Sequence, residues 1–139
     1  MKLKCRSIWY TACMSTYSHD DLPVVEVPRI RTRILSGPGL GAGETAIWQQ
    51  WIDPDGFIPL HYHEVEEVLL IMSGTVELTL GDQVSTVTAP ATVVVPARTI
   101  HALRPRGESQ VQLLAVFPVA EPGIFDPSGA PRPMPWDDC

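Results

Sequence analysis

Between Val24 and Phe117 the chain is cut into short β-branched and aliphatic runs, each closed after a few residues by Gly, Pro, Asp or Ser. That punctuation constrains the fold more than any other feature. Fourteen prolines and ten glycines among 139 residues leave no room for long helices, since proline removes a backbone donor and clashes with the preceding turn. Candidate strands are Val24–Val27, Ile30–Leu35, Thr45–Ile52, Phe57–His63, Glu67–Met72, Thr75–Leu80, Val84–Thr88, Thr92–Val95, Ile100–Leu103 and Val111–Phe117. Asp53-Pro54-Asp55-Gly56 reads as a turn, and Gly81-Asp82 closes a hairpin. Many short strands at even spacing predict an all-β sandwich or barrel, and closure into a barrel or jelly roll also disposes of exposed strand edges.

The chain divides into a leader over residues 1–22, a barrel domain over 23–119 and a Pro-rich tail over 120–139. Ile8, Trp9 and Tyr10 of the leader could pack on a partner subunit. Five prolines (122, 127, 131, 133 and 135) keep the tail from forming a ladder, so it should run over the surface in extended form, anchored by Phe125 and Trp136. The 45% hydrophobic content suits a single globular domain. A net charge of −6 disfavours nucleic acid and anionic membranes as partners. No apolar run reaches the ~18 residues of a membrane span. The cysteines, Cys5, Cys13 and Cys139, form no C-x-x-C pair and are expected to be free thiols in a reducing cytoplasm.

The chemistry is concentrated in two segments. In the first, His61-Tyr62-His63 places two imidazoles on one face of a strand, with Cβ atoms about 6–7 Å apart. Glu67 follows across a short turn and heads an apolar run, Val68–Met72, typical of a buried strand. In the second segment the strand Thr92–Val95 ends at Pro96, and His101 opens the next strand. Three imidazoles and a carboxylate suit one divalent first-row ion (Fe, Mn, Zn, Ni, Co or Cu), with open positions for a substrate. Glu64 and Glu66 are expected to face solvent, Tyr62 to point away from the site, and His19 to be a surface bystander.

These residues resemble the cupin superfamily. Its first motif, roughly Gly-x5-His-x-His-x(3,4)-Glu-x6-Gly, corresponds to Gly56, His61, His63, Glu67 and Gly74, with the first interval one residue short. Its second motif is met by Pro96 and His101. Arg98 stands where the motif has glycine and Pro105 where it has asparagine. The Pro-Ala-Arg turn is tolerable, since the segment needs a tight turn and not necessarily a positive φ. The resemblance covers roughly residues 42–118. It implies a jelly-roll barrel with the metal inside, and a homodimer made through strands near the N-terminus.

Inward parity should place Leu69 and Ile71 behind Glu67, and Leu103 behind His101. On Thr45–Ile52 either Gln49 with Trp51 or Trp48 with Gln50 faces the cavity. Gln49 and Trp51, with Arg98 at the barrel mouth, are the candidate substrate contacts. The resulting expectation is a metal-dependent enzyme for a small polar molecule, with dioxygenase chemistry ahead of isomerase, decarboxylase or lyase chemistry. A binding or sensor module without catalysis is the alternative.

Overall fold

The computed structural model describes residues 15–137. Ile8, Trp9, Tyr10 and the three cysteines lie outside the described residues. Ten strands occupy nearly the positions that the turn residues dictate: β1 (Val24–Val27), β2 (Ile30–Ser36), β3 (Ala46–Ile52), β4 (Ile58–His61), β5 (Glu67–Ser73), β6 (Thr75–Leu80), β7 (Gln83–Thr88), β8 (Ala91–Val95), β9 (His101–Pro105) and β10 (Val111–Phe117). They pair antiparallel into a six-stranded sheet, β1-β2-β3-β10-β5-β8, and a four-stranded sheet, β4-β9-β6-β7. This is a jelly-roll barrel. Two short 3-10 turns, His19–Asp21 and Pro38–Leu40, are the helical elements among the described residues.

Alternation sorts the core. Ile52, Leu69, Ile71, Val111, Leu113 and Phe117 of the large sheet meet Val76, Leu78 and Leu103 of the small one, and all are buried. Each such aliphatic or aromatic side chain stabilises the fold by roughly 1.5–3 kcal/mol relative to exposure. Leu69, Ile71 and Leu103 point inward as alternation predicts. The β6–β7 hairpin pairs Leu80 with Gln83 across Gly81-Asp82.

Gly56 is fixed by close approach. A Cβ there would lie 2.8 Å from the Arg29 carbonyl oxygen, which already accepts a bond from Asp53 N–H. A side chain would separate β2 from the turn that leads into the two histidines, so this motif glycine serves the backbone.

Two expectations need correction. Strand β4 stops at His61, because at Tyr62 the chain leaves β9 and bonds the tail instead. Tyr62 N–H donates to Phe125 O (2.9 Å) and Phe125 N–H to Tyr62 O (3.0 Å). The turn before His101 does take a positive φ: Arg98 sits at +61° as the third residue of a turn closed by Thr99 N–H to Pro96 O. That left-handed position explains why the motif has glycine there.

Candidate metal centre

His61 ends β4, His63 lies two residues on, Glu67 opens β5 and His101 opens β9. The pairing of His61 with His101 across β4 and β9 sets two imidazoles side by side, with ring centroids 4.2 Å apart. Glu67 projects from the facing sheet. One ligand-type atom from each of the four residues lies within 4.8 Å of the other three. Glu67 Oε2 is 2.9 Å from His101 Nε2 and 3.3 Å from His63 Nε2. Two ligands each about 2.1 Å from an ion stand about 3.0–3.4 Å apart at octahedral or tetrahedral angles, so these two spacings fit coordination. All four side chains are buried, Glu67 at 4% exposure and His101 at 1%.

The donor set is electrostatically incomplete by itself. Each imidazole Nδ1 faces a backbone carbonyl: His61 to Pro59 O (2.7 Å), His63 to Gly123 O (2.5 Å) and His101 to Thr99 O (2.8 Å). A carbonyl only accepts, so Nδ1 carries the hydrogen and Nε2 is turned inward. At His63 and His101 that Nε2 meets the Glu67 carboxylate. Lone pairs and an anionic oxygen tolerate such proximity when a proton or a cation lies among them. Burial, with the neighbouring His101 charge next, lowers the His61 pKa to about 4, so His61 stays neutral and ready to coordinate. Burial pushes the Glu67 carboxyl up, but hydrogen bonds from His101 and His63 outweigh it and hold the group at about 2. The residues therefore fit a divalent cation.

An aromatic wall backs the cluster. Phe117 lies 4.7 Å from the His63 ring and Trp48 6.2 Å, and Trp136 of the tail packs 4.9 Å from Trp48. Alternation on β3 thus turns Trp48 and Gln50 inward, where Gln50 donates to Thr32 Oγ1 (3.1 Å). Gln49 and Trp51 take the opposite face, away from the cluster. There Trp51 lies under the Arg31 and Arg33 guanidinium groups, and Gln49 pairs in register with Arg33. Both faces of β3 carry one Trp and one Gln, so the sequence offered no asymmetry to decide between them. Arg98 is exposed in the turn whose backbone N–H bonds His63 O (2.8 Å). Tyr62 stacks on Phe125. Glu64 and Glu66 are exposed, as is His19. Gly123 had no signal of its own, because it acts through a backbone carbonyl, whereas Trp136, expected as an anchor of the tail, does pack on the core and meets Trp48.

A groove of about 1080 Å³ lies elsewhere, between residues 54–60 and 102–107. It follows the outward-facing Glu77, Ala102 and Arg104, whereas His101 and Leu103 point into the barrel, so it is separate from the cluster.

The cupin-domain family matches residues 48–117, the span that carries all four cluster residues. The chain belongs to the cupin family. Among solved structures it is similar to the polyketide cyclase RemF from Streptomyces resistomycificus (20% identity, TM-score 0.72, covering 83% of this chain and 86% of that one). It is also similar to a Lactobacillus farciminis oxalate decarboxylase (19%, 0.71, 78% and 34%) and to the Bacillus subtilis oxalate decarboxylase studied for its Mn(II) centres (17%, 0.71, 80% and 31%). The chain spans about a third of the length of these decarboxylases. At such identities the likeness is one of fold. No curated protein matches the sequence. No helix among the described residues is long and apolar enough to cross a membrane.

Proposed function

We propose that this chain is a metal-dependent enzyme for a small polar organic molecule, holding one divalent transition-metal ion on His61, His63, Glu67 and His101. The observation that carries the reading is the convergence of three buried imidazoles and one buried carboxylate, with one ligand-type atom of each within 4.8 Å of the other three. A bound ion would act as a Lewis acid toward substrate oxygen atoms or bring O₂ beside them. Three neutral imidazoles and one carboxylate leave a divalent ion with a net positive charge, which favours an anionic oxygen donor. Arg98, exposed beside His63, would take a substrate carboxylate. Trp48, Phe117 and Trp136 exclude water and set the shape available to the substrate.

Oxygenase chemistry is the leading reaction class. Trp48 and Phe117, the rings packed on His63, carry no group that shuttles protons, whereas isomerases, lyases and decarboxylases commonly place a general acid or base beside the substrate. The test is metal analysis of the purified chain, followed by oxygen uptake with catechols, thiols and diketones under each metal, Mn²⁺ included. Turnover that disappears in a folded His61→Ala variant supports the enzyme. Ligand binding without turnover for any substrate class points to a sensor or carrier instead.

The same proposal includes a homodimer in a reducing cytoplasm. Val94, Val68, Val116 and Ile47 form one outward apolar row across β8, β5, β10 and β3, with Met72 and Val94 more than half exposed. A second copy of the chain would cover that row. Light scattering on the wild type and on Val94→Lys tests it: the reading requires a dimer that the lysine dissociates.

A further inference from the structure

His63 is supported differently from the other two histidines. His61 and His101 each donate Nδ1–H to a carbonyl two residues earlier, Pro59 and Thr99, so their orientation is built into their own segments. His63 donates to Gly123, sixty residues further along. Gly123 belongs to a folded strap. Residues 124–132 double back, with Arg132 N–H bonding Ile124 O (2.8 Å) and Asp126 N–H bonding Ala130 O (2.9 Å). The Asp126 carboxylate accepts from Ser128 N–H (2.8 Å) and Ala130 N–H (3.1 Å). Phe125 bonds Tyr62 twice through the backbone and stacks on its ring at 5.3 Å, and this register brings Gly123 alongside His63. Gly123 has φ +60°, and a Cβ there would touch the Phe125 ring at 3.4 Å. Beyond the strap, Met134 and Trp136 pack against the barrel core, and Trp136 meets Trp48.

We propose that the C-terminal strap is a working part of the metal centre: Gly123, as a positioning residue, holds His63 with Nε2 turned inward, so metal affinity depends on a segment that supplies no ligand. The inference rests on the metal-binding reading above. A ligand histidine whose outer hydrogen-bond partner is lost can rotate or change tautomer, and such losses ordinarily cost about 10–100-fold in metal affinity. For His61 and His101 the partner cannot leave without moving the ligand's own strand. For His63 it can, because the strap is anchored by its own contacts.

The test is a double-mutant cycle in the full chain, with Mn²⁺ affinity read by chelator competition. Proline fixes φ near −65°, so Gly123→Pro swings the carbonyl away from His63. The expected result is a loss of about 10–100-fold in the wild-type background and less than about twofold in a His63→Ala background. Gly123→Asn, which tolerates a left-handed backbone, should recover most of the affinity. If Gly123→Pro fails to fold, Phe125→Ala carries the same cycle, with a smaller loss that again vanishes without His63. Equal losses in both backgrounds, or none in either, overturn the proposal. A wild-type chain that takes up no metal overturns the underlying metal reading, a failure plainly distinct from that of the strap.

Discussion

The two ends of the barrel interior are built on opposite principles. One end is apolar: Ile52, Ile71, Val76, Val111 and Leu113 are almost inaccessible to water and interlock between the sheets. The other gathers three imidazoles and a carboxylate, all buried, with the Trp48 and Phe117 rings packed on His63. Burying apolar surface stabilises a fold, whereas burying a carboxylate opposes folding unless it is paired. The apolar end therefore carries the stability, and it allows the polar end to keep groups in positions they would not choose by themselves.

The largest effect that tests this division comes from Leu113→Ala. Leu113 is fully buried between β3 and β5, so the truncation should cost about 2–5 kcal/mol in chemical denaturation. Metal affinity of the folded protein should stay within about twofold. A large loss of affinity would show that the two ends are not separable.

Within the barrel interior, acid should act on the polar end. His61 is lowered from 6.5 to about 4 in the folded chain. The unfolded state thus binds more protons between those values, and stability falls as pH drops from 6.5 toward 4. Glu67, lowered from 4.5 to about 2, contributes stability above 4.5 that is lost as pH falls through that value toward 2. For the metal-free protein each window is worth on the order of 3 kcal/mol. Denaturation midpoints measured from pH 7 to 4 should slope downward in the wild type and flatten in His61→Leu. An unchanged slope in the variant removes His61 as the cause.

Glu67→Met sharpens the contrast from the other side. It should weaken Mn²⁺ or Zn²⁺ binding by more than about 100-fold, or ~2.7 kcal/mol, the upper end of what loss of a mere outer partner costs. Metal-free stability at pH 7 should fall by up to about 3 kcal/mol, because the lowered Glu67 pKa favours the folded state there and the variant leaves His63 and His101 without their buried partner. Unchanged metal-free stability would mean that the pairing of the carboxylate with His63 and His101 does not favour the folded state.

What the sequence discloses follows the same division. The apolar end was legible because alternation and turn residues repeat over ten strands, and each repetition reinforces the last. The four cluster residues were legible because His61-x-His63, Glu67 and His101 fall at strand ends with fixed spacing. Contacts that depend on one chance juxtaposition were hidden. Gly123 reaches His63 through its backbone, which carries no side-chain signature. Trp48 and Trp51 could not be told apart until the register of β3 against β2 and β10 placed one of them inside.

The smallest effect concerns the turn that joins the two regions. Arg98 lies at φ +61°, where a Cβ is disfavoured, yet its N–H holds the His63 carbonyl. Glycine relieves the steric cost but adds freedom to the unfolded chain, so the two terms partly offset. Arg98→Ala keeps the Cβ and removes the guanidinium, while Arg98→Gly removes both. Arg98→Gly should therefore be the more stable of the two by about 1 kcal/mol, with metal affinity equal in both. If Arg98 grips a substrate carboxylate, the two variants should also share one raised KM at unchanged kcat. A KM that tracks stability across the pair would instead assign the arginine to the turn alone.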